Sequence, residues 1–453
     1  MISGRSAPGK PAQNTISFYI ENLGCAKNQV DAETMIAALE ASSHKLSDDP
    51  ADADLIIINS CGFIEAARRE SIDTILEFRK KYPEKRVLLA GCFAQRNGPE
   101  LLRSLSEIDG VFGNHAPARV SEIIHSVFSG TREVFRPEQF EQTPQAPALL
   151  SYTGSAYLKI SEGCNNRCSF CAIPIIRGDL RSRKIVEVVA DARHFIDSGV
   201  AEINLIAQDI ASYGNDIGAG LEELIRAILK IPGTYWLRML YIHPDNFKPE
   251  LLDLCKSDSR LLPYFDIPFQ HASKRILRKM GRLGDIRTYE ELVGCIRKAL
   301  PAAVVRSTFL IGFPGERASD FSRLVQFQEN VRFDWLGAFT YSREADTPAY
   351  SFGVAPGLSY ALKKPIVRRR YKRILEAQQG ISASRMVRHL GKTYDVLIEE
   401  KIEGEDLYLG RIYAQAPEVD GLTVVRAEHL GIGNFVRCRI VRVNGIDLEA
   451  VPE

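Results

Sequence analysis

Apolar positions along the chain form two long alternations of strand-like runs with helical patterns, then a third part of different character. Over residues 16–128, apolar runs at 16–20, 55–58 and 87–90 are each followed by an amphipathic stretch. A segment rich in Pro, Gln and Glu follows at 129–149, carrying Pro137, Pro144 and Pro147, and reads as a linker. Between 150 and 383 six further runs appear, at 157–160, 202–207, 236–240, 264–267, 304–311 and 336–341. Helical patterns such as 185–198, 289–300 and 318–331 follow most of them. Six strand–helix units in series predict a parallel barrel, complete or partial. The last part, 385–451, has short β-rich runs at 394–398, 407–413, 422–425 and 435–441. Gly404, Gly410, Gly421, Gly433 and Gly445 punctuate them, which predicts a small antiparallel β barrel. The fold class is therefore α/β: an N-terminal open parallel α/β domain, a central partial (β/α)6 barrel and a C-terminal small antiparallel β barrel.

Composition adds mainly exclusions. The 453 residues carry 58 basic and 57 acidic side chains, a net charge of +1. No global field argues for a nucleic-acid or membrane partner. No apolar run approaches the eighteen or so residues of a membrane span, and the first residues lack the apolar core of a signal peptide, so a cytoplasmic protein is expected. Nine cysteines, an odd number, argue against a disulfide framework and leave thiols available as metal ligands.

Six of those cysteines fall into two sets. Cys25 (in LGCAKNQVDAE), Cys61 (in NSCGFIEAA) and Cys92 (in AGCFAQR) each lie just past a strand-like run and before a helical pattern. Ligands gather at the carboxyl ends of strands in open parallel sheets, so three cysteines far apart in sequence are expected to meet. The plainer alternative is three small buried hydrophobes, which their neighbours Gly24, Gly62 and Gly91 weigh against. The second set, EGCNNRCSFCAIP, places Cys164, Cys168 and Cys171 on one loop after the first barrel strand. Three thiolates bind three irons of a cubane and leave the fourth open, as a catalytic metal requires, whereas a pure electron carrier uses four cysteines. A structural zinc site wants paired ligands, and no partnering CxxC or HxxxH lies nearby.

CxxxCxxC after the first strand of a βα barrel resembles the radical S-adenosylmethionine superfamily. That resemblance implies a [4Fe–4S] cluster on Cys164, Cys168 and Cys171, with S-adenosylmethionine chelated at the open iron and cleaved to a 5′-deoxyadenosyl radical. It places Phe170 and the strand TFLIGFPGE, with Gly312, near the adenine. It also suggests Gln208 and Asp209 for the methionyl amine, and Arg306 and Ser307 for the ribose or carboxylate. The whole chain resembles the methylthiotransferases, which join a three-cysteine domain (16–128 here) to a radical barrel (150–383) and a TRAM domain (385–451). The resemblance then assigns a second [4Fe–4S] cluster, the sulfur-delivering one, to Cys25, Cys61 and Cys92. S-adenosylmethionine serves as methyl donor and radical source, and C–H becomes C–SCH3.

Two branches share this architecture. LGCAKNQVDAE, SCGFIEAARRESIDTIL, KISEGCNNRCSFCAIPIIRGDLRSR, DIPFQHAS and YSREADTPA are similar to the RimO type, which modifies the β-carbon of an aspartate in a small-subunit ribosomal protein. The MiaB type, which modifies a tRNA adenosine, usually reads YGCQMN at the first cysteine and RGEE where Arg177-Gly178-Asp179-Leu180 stands here. Ala26, where the RimO type usually has Pro, and Phe93 are small departures that alter no ligand. Charge agrees: residues 385–453 hold nine Lys/Arg against twelve Asp/Glu, a net −3, whereas a domain gripping phosphates should be basic. An acidic domain suits a basic protein target. The basic stretch 363–373 reads as a solvated helix face, with contact to ribosomal RNA or an acidic surface as its functional alternative. The expected partners are thus a ribosomal protein substrate and a reducing electron donor, with no membrane and tRNA disfavoured. The sulfur donor is not indicated. A non-catalytic RNA- or ribosome-binding Fe–S protein is the alternative from another class. His243 and His271 follow barrel strands, and His271 is weighed between facing substrate and a structural role. Cys255, Cys295 and Cys438 have no motif and read as incidental.

Overall fold

The computed structural model describes residues 15–138, 140, 141, 150, 153–352 and 358–453. Pro144 and Pro147 of the expected linker lie outside the described residues. The first sheet comprises β1 (Ser17–Asn22), β2 (Lys45–Leu46), β3 (Leu55–Ser60), β4 (Arg86–Ala90), β5 (Gly110–Gly113) and β6 (Glu133–Phe135). Its strands run parallel in the order β2-β1-β3-β4-β5-β6. β3 is buried along its whole length, because a central parallel strand is covered on both faces and needs a continuous apolar run. Helices α1 (Ala26–Ala41), α2 (Glu65–Lys81), α3 (Gly91–Ser104) and α4 (Ser121–Ser129) complete this unit. β6 is drawn from the start of the segment read as linker. Three residues of Glu-Val-Phe carry little pattern of their own and become a strand by pairing with β5.

The second sheet is built from β7 (Ser155–Lys159), β10 (Glu202–Ile206), β11 (Trp236–Met239), β12 (Leu261–Asp266), β13 (Val304–Ile311) and β14 (Trp335–Thr340). A two-residue hairpin, β8 (Ser161–Glu162) with β9 (Arg181–Ser182), brackets the cysteine loop. The order β14-β13-β12-β11-β10-β7 is parallel throughout and open between β7 and β14, so the barrel is partial. Helices α5 (Ile173–Ile176), α6 (Ile185–Asp197), α7 (Leu221–Leu229), α8 (Glu250–Ser257), α9 (Lys274–Lys279), α10 (Ile286–Ala299), α11 (Ala318–Val331) and α12 (Leu358–Met386) follow. The period-two alternation of strands decides which residues face where. Leu158, Leu205, Leu237, Phe265 and Val305 pack among the helices, whereas Tyr157, Tyr264, Val304 and Trp335 turn into the lumen.

The C-terminal unit is a closed barrel of β15 (Thr393–Lys401), β16 (Leu407–Arg411), β17 (Thr423–Arg426), β18 (Phe435–Asn444) and β19 (Asp447–Pro452). Its pairs are antiparallel except β17 with β19, a parallel pair that closes the ring. This barrel stops the amino-terminal end of the lumen: Trp335 Nε1 donates to Ala414 O at 2.7 Å, and Tyr264 OH donates to Asp420 Oδ2 at 2.5 Å. α1 covers the opposite end, where Ala26 and Val30 join the same apolar cluster as Tyr157 and Tyr264.

At the floor, buried Glu202 accepts from Arg238 Nε at 2.7 Å and pairs with Arg411 of the small barrel. Burial alone would raise its carboxyl pKa, but Arg411 and Arg238 hold it down at about 2. The stability this cluster contributes is full above the ordinary carboxylate range and is withdrawn as pH falls toward 2. Glu202→Ala leaves two guanidinium groups short of a counter-charge. It is expected to destabilise the chain by about 3–5 kcal/mol, read as a lowered denaturant midpoint. No described helix is long and apolar enough to cross a membrane.

Candidate active site at the junction of two cysteine sets

Cys25 is the N-cap residue of α1, Cys61 follows β3, and Cys92 is the second residue of α3, after Gly91. The approach of the last two is tight. Gly91 sits at φ +90°, and a Cβ there would stand 2.6 Å from Ser60 O, so only glycine lets the chain turn from β4 straight into α3. Asn28, one turn into α1, ties the set together. Its Oδ1 lies 3.7 Å from Cys25 Sγ and 3.4 Å from Cys92 Sγ, and its Nδ2 donates to Ser60 O at 3.0 Å. Asn114 Nδ2 donates to Cys92 Sγ at 3.3 Å. Burial raises the Cys61 thiol and pushes Cys92 up to about 12, partly opposed for Cys92 by Arg177.

The loop carrying Cys164, Cys168 and Cys171 is fastened at several points. Gly163, at φ +73°, lets the chain pass so close to Asp179 that a Cβ would stand 2.0 Å from its carbonyl oxygen. Cys164 N donates to Gly178 O at 3.2 Å, and Ser169 N donates to Met280 O at 3.0 Å. Asn166 Nδ2 donates to Asp209 Oδ2 at 2.9 Å, and Cys168 Sγ lies 3.8 Å from His243 Nε2. Burial pushes Cys164 up to about 11 and Cys171 to about 12. Among the described residues, no three of Cys, His, Asp and Glu close on a point as a single ion requires. Cluster thiolates each take a different iron, so their sulfurs stand farther apart than the ligands of one ion.

Arg177, just past α5, joins the two sets. It is fully buried; its Nη2 lies 3.1 Å from Cys92 Sγ and 2.9 Å from Asp31 Oδ2, and its Nη1 lies 2.9 Å from Glu162 Oε1. Lys159 Nζ donates to Asp31 Oδ1 at 2.6 Å. A second clamp is centred on buried Glu344, in the YSREADTPA segment. It pairs with Arg68 of α2 and with Arg96 of α3 at 2.8 Å, and accepts from Glu65 N at 2.9 Å. Burial works against its carboxylate, but Arg68, Ser342 and Arg96 hold its pKa below the usual value. The N-terminal and barrel units are thus joined by two buried ion-pair clusters.

The remaining sequence-derived candidates divide. Phe170 is half-buried against the barrel's helix-side core. Gln208 Nε2 donates to Glu162 Oε1 at 2.7 Å, while its Oε1 has no partner among the described residues. Asp209 is committed to the protein, accepting from Asn166, Asn246 Nδ2 at 2.7 Å and His243 N at 3.0 Å. Arg306 points into the lumen, 3.1 Å from Asp266 Oδ1 and 3.5 Å from Asp420 Oδ1. Ser307, its neighbour, faces the other way: its Oγ donates to Ile267 O at 2.9 Å on the helix side. A ribose or carboxylate in the lumen is therefore out of its reach. Gly312 lines a cavity of about 880 Å³ with Phe313, Phe339 and Arg368.

His271 is fully buried and fastens a turn, its Nδ1 accepting from Ala272 N at 2.9 Å and Ser273 N at 3.0 Å. In the basic stretch on α12, Arg370 pairs with Glu316, while Arg368, Arg369, Lys372 and Arg373 are exposed. Cys255 and Cys438 are buried and Cys295 is exposed. Sequence reasoning did not assign roles to Asn28, Asp31, Asn114, Arg177 or Glu344, although four of the five lie inside quoted motifs.

Three family models match in chain order: uncharacterized protein family UPF0004 at residues 17–113, the radical SAM superfamily at 158–327 and the TRAM domain at 390–452. Among solved structures, a radical S-adenosylmethionine methyltransferase, TsrM, from Kitasatospora setae, with cobalamin and a [4Fe–4S] cluster bound, aligns at TM-score 0.54. It covers 76% of this chain and 80% of its own at 16% identity, a likeness of fold. The ribosomal protein uS12 methylthiotransferase RimO of Treponema denticola is 42% identical over 94% of this chain and 99% of its own length. Its counterpart of the same name from Syntrophomonas wolfei is 39% identical over 94% and 98%. With relatives this similar along nearly their whole length, the chain belongs to the radical SAM methylthiotransferases of the ribosomal protein uS12 RimO family.

Proposed function

We propose that this chain replaces the β-C–H of an aspartate in small-subunit ribosomal protein uS12 with C–SCH3, using S-adenosylmethionine as methyl donor and radical source. The observation that carries the reading is the meeting of the two cysteine sets. Arg177, a few residues beyond Cys171, donates to the sulfur of Cys92. A radical site and a sulfur-delivering site must share one substrate atom, and the packing of Cys92 against Ala172 and Ile176, just past Cys171, supports that.

The donor sets fit the cofactors. Each set offers three thiols, and the Cys92 sulfur already receives two hydrogen bonds from Arg177 and Asn114, the kind of contact that offsets the negative charge of a ligating thiolate. Cys164, Cys168 and Cys171 would hold the cluster that binds S-adenosylmethionine; Cys25, Cys61 and Cys92 would hold the second. When bound, these groups supply one-electron cleavage of the sulfonium and the sulfur to be inserted. The protein's share is placement. Gln208 Oε1, an acceptor without a partner among the described residues, suits the methionyl ammonium. Asp209 fixes the loop through Asn166, and the Glu344 clamp keeps the two sets at one spacing. Electrons would come from a reducing electron donor.

Mass spectrometry of ribosomal proteins and tRNA hydrolysates from a strain lacking the gene tests the reading. The expected result is loss of one methylthio increment from uS12 alone. Loss from tRNA with uS12 unchanged would replace the ribosomal target with the nucleic-acid one.

A further inference from the structure

The cations at the junction are not equally provided for. Arg177 has Asp31 and Glu162, and Lys159 has the same two carboxylates. Lys27, in the first turn of α1, is 7% exposed. Among the described residues its ammonium makes no ion pair and no hydrogen bond. Its contact is the ring of Tyr241, 3.1 Å from the centroid. Asp266, which carries the nearest acidic charge from the barrel wall, is already taken by Arg306 at 3.1 Å and by Tyr241 N at 3.2 Å. A cation–π contact offsets part of the cost of burying an ammonium, but an interior cation normally has an anion as well.

The platform beneath it is itself held out of ordinary geometry. Tyr241 follows β11 at the carboxyl end of the barrel with φ +65°, a region that bulky residues seldom occupy except where function fixes them. Tyr241 O accepts from Ile210 N at 3.1 Å, so its ring is set by two adjacent strand ends. Lys27 is thus a buried cation seated on the Tyr241 ring, two residues from Cys25, with no carboxylate bonded to it among the described residues.

We propose that Lys27, seated on Tyr241, binds the side-chain carboxylate of the substrate aspartate and selects for it. The inference rests on the aspartate reading above and deepens it. In an aspartate the carboxylate is one bond from the β-carbon, so anchoring it beside Cys25 presents that carbon to both cysteine sets. Two carboxylates could come to this ammonium, that of the substrate and the methionyl one of S-adenosylmethionine. Placement favours the substrate, because Lys27 belongs to the N-terminal unit and lies beside Cys25.

The test uses anaerobic, cluster-loaded full-length protein, wild type and the variants Lys27→Met, Lys27→Gln and Lys27→Arg. The substrates are a uS12 peptide with its target aspartate and the same peptide with asparagine. Iron content and peptide affinity by fluorescence anisotropy are read alongside product. Wild type is expected to prefer the aspartate peptide. Lys27→Met and Lys27→Gln should bind it about 10- to 100-fold more weakly, the loss of one charge-assisted contact, and the aspartate-to-asparagine ratio should collapse toward one. Lys27→Arg should recover part of the preference.

An unchanged ratio with full iron would overturn the proposal. So would a loss of iron in the variants, which would assign the ammonium to the thiolates, or a loss of S-adenosylmethionine affinity with peptide affinity intact, which would assign it to the methionyl carboxylate. Wild-type protein that modifies neither peptide would overturn the parent reading, and this one with it.

Discussion

Replacing Cys168 with alanine is expected to abolish reductive cleavage of S-adenosylmethionine, with 5′-deoxyadenosine falling below detection. Cys168 is the buried middle member of its loop, flanked by Cys164 and Cys171 and lying 3.8 Å from His243. No other described cysteine lies where it could stand in: Cys255 is on α8 and Cys438 in the small barrel. A cubane left with two thiolates on one loop loses its hold, so iron should fall from about eight to about four per chain, one [4Fe–4S] cluster's worth. The control is Cys295→Ser, an exposed position on α10, which should keep both iron and product. Full cleavage by Cys168→Ala would remove the radical chemistry from this loop.

The second large effect separates the two sets. Cys61→Ala is expected to stop methylthiolation while 5′-deoxyadenosine is still formed. Cys61 lies on the N-terminal unit at the end of β3, so its removal leaves the fastenings of the radical loop intact: Asn166 to Asp209, and Ser169 to Met280. It takes one of three thiols from the set that Asn28 and Asn114 hold together. Iron should again halve, but product formation and cleavage should now part company. A Cys61→Ala protein that still yields the methylthiolated peptide would mean the N-terminal set is not part of the chemistry.

Much of this architecture could be read from pattern. The apolar runs at 55–58, 87–90 and 304–311 are long enough, and buried enough on both sides, to announce central parallel strands. β2, β5 and β6 went unread for the opposite reason. Lys45–Leu46, Gly110–Gly113 and Glu133–Phe135 are short, and two of them lie at sheet edges, where pairing with a neighbour rather than intrinsic preference makes the strand. Among site residues, cysteines declare themselves by spacing and by their place after strands. Arg177 does not, because its partners Asp31 and Cys92 lie far away along the chain and only the docked units bring them together. Glu344 is the same case, meeting Arg68 and Arg96 of the other unit. Ser307 shows a different limit: alternation says that it and Arg306 face opposite ways, but which way is the lumen is decided by how the six-stranded sheet curves.

If one chain both makes the radical and inserts the sulfur into a protein aspartate, both products must appear in a single reaction. The most direct measurement is mass spectrometry of a uS12 peptide after anaerobic reaction with cluster-loaded protein, S-adenosylmethionine and a strong reductant. The expected result is a peptide carrying one methylthio group in place of one hydrogen on its target aspartate, with 5′-deoxyadenosine formed alongside. An unmodified peptide, from a preparation that makes 5′-deoxyadenosine and transfers the methylthio group to a tRNA fragment instead, would contradict it.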